Sequence, residues 1–224
     1  MNTPPHIALM VPINNTTMAT ELVGWLPQGT QCQTLKIPRG QGLLTRETIP
    51  AYKAQALKLA QSLLGQPIQA LAYGCTAASF LSGAQGDAEL CAELTQLIGK
   101  PVVTTASAMV LALQALGAQR IGLVTPYQDE VNDQLKRFLA DGGIDVLAFD
   151  SMRAPNVDAL GRITSAQVAQ MARQVMTDGC QAMFIACSQL PTFDILQTLS
   201  DEFGRPVLSS IQATAQQVRA TLHL

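Results

Sequence analysis

Two cysteines stand out by their positions in the chain. Cys75 follows the apolar run "IQALAY" and Gly74, and Cys187 follows the apolar run "QAMFIA". Each is followed at once by a hydroxyl residue, Thr76 and Ser188 respectively. A thiolate is a nucleophile or a base, and a thiol can return a proton. A facing pair of cysteines therefore suits covalent addition or two-base proton transfer.

The segments that lead to the two cysteines resemble each other. "HIALMVPINN" and "RIGLVTPYQD" are both apolar runs followed by proline and a polar residue, and Ile7 and Ile121 precede the cysteines by 68 and 66 positions. This repeat indicates two similar halves. In open α/β sheets, ligands bind beyond the carboxyl ends of the strands. We therefore expect Cys75 and Cys187 to face one ligand, each beside a helix N-terminus that lowers its pKa.

The elements that must position these residues alternate along the chain. Continuous apolar runs are typical of parallel strands covered on both faces, and they predict strands at 6–11, 32–37, 68–73, 101–105, 120–125, 145–150, 181–186 and 206–210. Helical patterns lie near 47–64, 87–98, 106–116, 129–141, 165–178, 192–203 and 210–221. N-cap oxygens are predicted at Thr45, Ser107, Asp129 and Thr164 or Ser165. This alternation predicts an α/β fold.

Composition limits the classes of function. The chain has 224 residues, of which 48% are hydrophobic and 13% charged, with a net charge of −2 and 4% aromatic residues. Without a basic cluster or many aromatics, we expect no nucleic-acid or membrane partner. No apolar run approaches the ~20 residues that span a bilayer, and the N-terminus lacks the pattern of a secretory signal. We therefore expect a cytoplasmic protein.

The other cysteines and the histidines predict no further chemistry. The five cysteines form no CxxC pair, and the two histidines lie near the termini, so we expect neither a disulfide framework nor a metal. Cys32, Cys91 and Cys180 follow no comparable strand end. We interpret them as structural.

The chain resembles the Asp/Glu racemase superfamily, in the branch that contains maleate cis–trans isomerase and arylmalonate decarboxylase. The resemblance covers nearly the whole chain. It is carried by "VPINNTTMATE" (11–21), "GCTAAS" (74–79), "VTPYQDEVN" (124–132), "NVDALGRIT" (156–164) and "ACSQLPTFDIL" (186–196). It implies two Rossmann-like subdomains with parallel four-stranded sheets, related by pseudo-twofold symmetry, with the active site between them. We place the subdomains at residues 1–105 plus 210–224 and at residues 106–209.

The resemblance also implies roles for individual residues. Cys75 would be the nucleophile and Cys187 the acid/base partner, while substrate carboxylates would be bound by Asn15, Thr76, Tyr127, Asn156 and Ser188. The site would bind its dicarboxylate through neutral donors, without a cationic side chain and without a cofactor. For Asn15 a turn or helix N-cap is an alternative, and for Tyr127 a half-buried structural ring. We further expect Cys75 to be the resting thiolate, because Thr76 and Ser79 can donate to an anion beside it. We expect a homodimer or a higher homo-oligomer.

Some positions depart from the pattern of the branch. Ile13 and Asn14 replace two serines, and Gln189-Leu190-Pro191 follows the second cysteine where Asn and then Met or Leu are more usual. The stretch "RGQGL" (39–43) lacks the strand–loop–helix context of a nucleotide fingerprint, and we interpret it as a lid over the site.

The expected reaction is isomerisation of maleate to fumarate through a cysteine adduct. One alternative is a two-cysteine racemase acting on an amino acid or a hydantoin-like carbon acid. Another is arylmalonate decarboxylation, against which Cys75 argues, because the resemblance implies glycine at that position in the decarboxylase. A small-acid binding protein is the non-enzymatic alternative, since fold alone does not establish catalysis.

Overall fold

The first half of the chain forms a four-stranded parallel sheet. The computed structural model describes residues 4–39 and 42–224. The strands of this sheet are β1 (His6–Pro12), β2 (Gln31–Ile37), β3 (Ala70–Tyr73) and β4 (Val102–Thr104). They lie in the order β2-β1-β3-β4, and every neighbouring pair is parallel. Apart from His6, β1 and β3 are entirely buried, as expected for central strands covered on both faces.

The second half repeats this arrangement. Its strands are β5 (Arg120–Thr125), β6 (Asp145–Ser151), β7 (Ala182–Ile185) and β8 (Val207–Ser209). They are parallel and lie in the order β6-β5-β7-β8. Since β5 to β8 occupy the places of β1 to β4, the predicted fold of two similar four-stranded parallel sheets is confirmed.

Helices connect the strands, as the alternating pattern predicts. They are α1 (Met18–Gly24), α2 (Ile49–Ala60), α3 (Thr76–Phe80), α4 (Gly83–Ile98), α5 (Thr105–Ala115), α6 (Asp129–Asp141), α7 (Val157–Gly161), α8 (Ser165–Val175), α9 (Leu196–Phe203) and α10 (Ser210–Thr221). A 3₁₀ turn, Gln61–Leu63, extends α2. The sequence pattern missed α1, α3 and α7, which have only five to seven residues. Such short helices do not complete an amphipathic period.

Some of the helix starts agree with those predicted from the sequence. Thr164, one of the two residues predicted to cap this helix, is the N-cap of α8, and it forms a capping box with Gln167. The predicted start at Ser107 is wrong, because α5 begins two residues earlier and the Thr104 side chain accepts a hydrogen bond from the Ser107 N–H group. Among residues 4–39 and 42–224, no helix is both long and apolar enough to cross a membrane.

The C-terminal helix α10 packs against elements from both halves. It contacts α1 and α5, and it lies near β3 and β4 of the first sheet and β8 of the second. The two sheets fall within the predicted ranges. The assignment of 210–224 to the first subdomain stays a prediction.

Candidate active site

The two cysteines lie at equivalent strand ends and line one cavity. Cys75 follows β3 after Gly74, and Cys187 follows β7 after Ala186. Both thiols are buried, with 4% and 7% of the residue exposed. The cavity has a volume of about 70 Å³. Its wall also contains Pro12, Asn14, Asn15, Arg39, Leu43, Leu44, Thr76, Ala77, Pro126, Tyr127, Gln128, Val131, Ala154, Leu160, Ser188 and Gln189.

Cys75 is held at the start of a short helix. It is the N-cap residue of α3, and Gly74 before it packs tightly on the first sheet. A Cβ at Gly74 would lie 2.5 Å from Met18 Sδ and 2.8 Å from Val11 Cγ1, so a larger residue would force these side chains to move. Ser79 Oγ donates to the Cys75 carbonyl oxygen over 3.2 Å. Ser79 therefore holds the backbone, and its donation to an anion stays a prediction.

Cys187 is held by a turn, not by a helix. Its φ is +153°, a value that residues with a Cβ rarely adopt. Its N–H group donates to Ser210 Oγ over 3.0 Å, and the Gln189 N–H group donates to its Sγ over 3.5 Å. The predicted helix start beside Cys187 is wrong, because α9 begins only at Leu196, after the proline at position 191.

Burial dominates the acidity of both thiols. It raises the pKa of Cys75 to about 11, against the lowering effects of the Ala78 N–H group and the Tyr52 hydroxyl. Burial also raises the pKa of Cys187, which Tyr127 and the backbone N–H groups that follow it lower. Burial thus opposes the low pKa that we expect at Cys75, and its role as the resting thiolate stays a prediction. A helix of five residues offsets only part of the desolvation cost.

Each thiol is faced by a tyrosine whose hydroxyl oxygen is buried. The Tyr52 hydroxyl, on α2, faces Cys75, and the Tyr127 hydroxyl, just after β5, faces Cys187. Neither hydroxyl forms a hydrogen bond of normal geometry with the described residues. The Tyr127 ring packs edge-on against Phe80, with centroids 5.6 Å apart. The sequence pointed to Tyr127 and missed Tyr52, which sits in a helix with no motif around it.

Asn15 joins the two halves at the cavity wall. Its Nδ2 donates to the Ser188 carbonyl oxygen over 3.0 Å and lies 3.3 Å from Ser188 Oγ. Its Oδ1 accepts from the N–H groups of Thr17 and Met18 at the start of α1. The structure thus brings Asn15 and Ser188 together, and it shows the turn alternative for Asn15, because the N-cap residue of α1 is Thr17. A role in binding carboxylates stays a prediction.

Polar atoms without protein partners line the cavity. Thr76 Oγ1, Tyr127 Oη and Asn14 Oδ1 have no hydrogen-bond partner in the described part of the chain. Buried polar groups normally have partners, so these atoms are available to a ligand. Asn14 is a site residue that the sequence analysis singled out only as a departure from the motif.

Asn156 is not among the residues that line the cavity, although Ala154 and Leu160 on either side of it are. It is exposed, and its Oδ1 accepts from the Ala159 N–H group over 2.9 Å, which caps α7. Its contact with substrate stays a prediction.

A cationic side chain reaches the cavity. Arg39 lines it together with Leu43 and Leu44, and the guanidinium donates to the Gly42 carbonyl oxygen. The expectation of a site without a cation is therefore wrong. Two residues of the predicted lid, Gly40 and Gln41, lie outside the described residues.

The side chains support thiol chemistry better than metal chemistry. No group of three or more His, Cys, Asp or Glu residues within 4–39 and 42–224 is arranged to hold a metal ion. All five cysteines are free thiols. Two buried thiols in one small cavity can add to an activated carbon from one side and exchange a proton with its neighbour.

Comparison with known proteins agrees with this geometry. The family model described as arylmalonate decarboxylase matches residues 32–224. A maleate isomerase from Geobacillus stearothermophilus is 26% identical, covering 98% of this chain and 92% of its own. An arylmalonate decarboxylase from Bordetella bronchiseptica is 28% identical over 78% of this chain and 73% of the relative. A Nocardia farcinica maleate cis–trans isomerase mutant with a covalently bound succinylcysteine intermediate superposes with a TM-score of 0.91 at 24% identity, covering 99% and 94%.

Proposed function

The chain belongs to the arylmalonate decarboxylase family, and we propose that it is a cofactor-independent isomerase that converts maleate, or a close cis-dicarboxylate, to the trans isomer through a covalent cysteine adduct. The observation that carries this proposal is the pair of thiols, Cys75 and Cys187, at equivalent strand ends in one cavity. A decarboxylase needs one proton donor, whereas addition and elimination across a double bond use a nucleophile and an acid.

In the proposed reaction, the Cys75 thiolate forms a C–S bond with one alkene carbon. The π electron pair takes the proton of the Cys187 thiol at the neighbouring carbon, so the double bond becomes a single bond. After rotation, the Cys187 thiolate removes a proton from that carbon. The electron pair restores the double bond, the C–S bond breaks, and the Cys75 thiolate is released. Protons and electrons balance without a cofactor.

The cavity wall offers donors for two carboxylates. Thr76 and Tyr127 present hydroxyls without partners among the described residues, and Arg39 supplies a positive charge. Donors fixed in place before the reaction stabilise developing negative charge in a buried site. The addition places charge on the carbon beside a carboxylate, which such donors would stabilise.

The relatives and the cavity volume support the same reaction. Four curated relatives are maleate isomerases that match over 98% of this chain at 24–26% identity. The cavity of about 70 Å³ is far below the ~300–1,000 Å³ typical of sites for drug-sized ligands. It therefore favours a compact diacid over one that carries an aromatic ring.

Arylmalonate decarboxylation is the second candidate. It is favoured by the family description and by the apolar side chains of Leu43, Leu44, Val131 and Leu160 in the cavity wall. In that reaction CO₂ leaves the substrate, and a thiol protonates the resulting carbanion.

The test is to incubate purified protein separately with maleate and with an arylmalonate. Proton NMR follows fumarate and the arylacetate, with Cys75→Ala protein as the control. We expect fumarate and no arylacetate. Arylacetate without fumarate would establish the decarboxylase, and conversion of neither compound would overturn both candidates. Cytoplasmic placement and a homodimer or higher oligomer stay part of the proposal.

A further inference from the structure

Glu21 closes the motif "VPINNTTMATE" but takes no part in the proposed reaction. It lies on α1, and its carboxylate reaches across to the loop that follows Cys187. Oε1 accepts from the Thr192 N–H group over 2.9 Å, and Oε2 accepts from the Thr192 hydroxyl over 3.1 Å. Burial raises the pKa of Glu21, the Thr192 and Phe193 N–H groups lower it, and the Asp194 charge raises it.

Thr192 is a firm attachment point for this carboxylate. It is 1% exposed, and its Oγ1 also lies 3.0 Å from Ser209 Oγ. Hydrogen bonds to a carboxylate are about twice as strong as those between neutral groups. Glu21 therefore fixes Thr192 from the first half of the chain while Ser209 contacts it from the second.

The same segment of the first half holds the other end of the loop. Gln189 Oε1 accepts from the Thr16 N–H group over 3.0 Å, and its Nε2 donates to Thr16 Oγ1 over 2.9 Å. Thr17 Oγ1 donates to the Gln189 carbonyl oxygen over 2.9 Å. Residues 16–21 thus clamp residues 189–192.

The clamped loop determines what surrounds the Cys187 sulfur. The Gln189 N–H group points at Sγ, and the Leu190 N–H group donates to the Cys187 carbonyl oxygen over 3.2 Å. Cys187 holds an unfavourable φ, which persists only where the surrounding structure enforces it. If the loop relaxed, the Gln189 N–H group would turn away from the thiol.

We propose that Glu21 is a positioning residue for Cys187, because it anchors at Thr192 the turn whose Gln189 N–H group donates to the Cys187 sulfur. This inference rests on the proposed function of Cys187 as the acid. Loss of the carboxylate would leave the buried Thr192 N–H group without its acceptor and the Thr192 hydroxyl with Ser209 alone. The turn would then relax, and Cys187 would bind its proton more tightly while Cys75, at the other strand end, would not.

The experiment compares Glu21→Ala, Glu21→Gln and the control Glu202→Ala. Glu202 also accepts hydrogen bonds from a side chain, Arg173, but on the surface and outside the cavity wall. The rate of alkylation by iodoacetamide is measured for Cys75 and Cys187 separately, by peptide mapping, across pH 7 to about 10.5. This measurement needs no substrate, so it stands even if the protein does not isomerise maleate.

For Glu21→Ala we expect the rate of Cys187 alkylation at each pH to fall about threefold or more, the fall that a pKa higher by about half a unit gives, with the rate at Cys75 unchanged. For maleate, kcat should fall about tenfold, while KM should stay within twofold of the wild-type value. Glu21→Gln, which keeps one acceptor oxygen, should fall between, and Glu202→Ala should match the wild type. An unchanged rate at Cys187, or an equal fall in rate at both cysteines with a lower Tm, would overturn the proposal.

Discussion

The Ser188 hydroxyl donates to the Gly74 carbonyl oxygen over 2.7 Å, so the residue after one cysteine of the cavity is bonded to the residue before the other. The bond joins positions 114 apart in the sequence and is fully buried. Because Cys75 and Cys187 are the direct neighbours of these residues, their backbones cannot separate without breaking it. The spacing of the two thiols is therefore set by the contact between the halves.

The two-thiol mechanism predicts which cysteines matter. Cys187→Ala should lower kcat for maleate by about 10²–10⁴-fold, the usual contribution of a general acid, and Cys75→Ala should leave no detectable turnover. Cys32→Ala, Cys91→Ala and Cys180→Ala serve as matched controls and should keep most of the activity. Initial rates of fumarate formation measure all five. Near-wild-type turnover in either Cys75→Ala or Cys187→Ala would contradict the mechanism.

The raised thiol pKa predicts an alkaline pH dependence. With the Cys75 pKa at about 11, the reactive thiolate increases about tenfold per pH unit below that value. We expect log(kcat/KM) for maleate to rise with a slope near +1 between pH 7 and 9. A flat profile over this range would show that the thiolate already exists at neutral pH.

The raised pKa of Cys75 also limits the pH range over which kcat/KM can be measured on folded protein. An unfolded thiol has a pKa of about 8.5, so a higher folded value means that the folded state favours the neutral form. The stability that this contributes is fully present below about pH 8.5 and is lost as the pH rises towards 11. Circular dichroism at each pH should accompany the rates and show folded protein up to pH 9.

The tyrosine–cysteine pairs predict that two similar substitutions change the acidity of different cysteines. Tyr52→Phe should raise the pH midpoint of Cys75 alkylation, because it removes a hydroxyl that favours the thiolate, and should reduce kcat/KM about tenfold. Tyr127→Phe should shift Cys187 instead, so each variant is the control for the other. Alkylation by iodoacetamide followed by peptide mapping measures both. Equal shifts at the two cysteines in either variant would exclude this pairing.

The assignment of nucleophile and acid predicts the position of the adduct. Protein quenched during turnover of maleate should carry a succinyl group on Cys75, and Cys187→Ser should increase its amount, because a hydroxyl removes the proton poorly. Peptide mapping by mass spectrometry locates the group. An adduct on Cys187 with Cys75 unmodified would reverse the two roles.

The predicted substrate contact of Asn156 can be separated from its cap. Aspartate and serine both cap helices well, so Asn156→Asp and Asn156→Ser should keep the Tm within a few degrees. A carboxylate at this position would repel a dicarboxylate, and we expect KM to rise about tenfold in Asn156→Asp alone. Steady-state kinetics give the result. An unchanged KM in both variants would show that Asn156 only caps α7.

Much of the fold followed from local pattern. The apolar runs and the helical periods predicted parallel sheets, because side-chain periodicity reflects which faces are covered. The distances from Ile7 to Cys75 and from Ile121 to Cys187 are nearly equal, and they predicted two similar halves. The Thr164 capping box was predictable for the same reason, since both of its partners lie within one turn. The helix start beside Cys187 was mispredicted, because the turn there is stabilised by residues far away in the chain.

By itself, the sequence determined the architecture and the placement of two thiols at strand ends. Only the tertiary structure decided that burial raises the pKa of both thiols, that Tyr52 and Arg39 reach the site, and that Glu21 holds Thr192. The physical reason is range. Helix periodicity and helix capping depend on residues within a few positions of one another. Contacts between the halves join residues up to 173 positions apart, and the burial that raises the thiol pKa values results from such contacts.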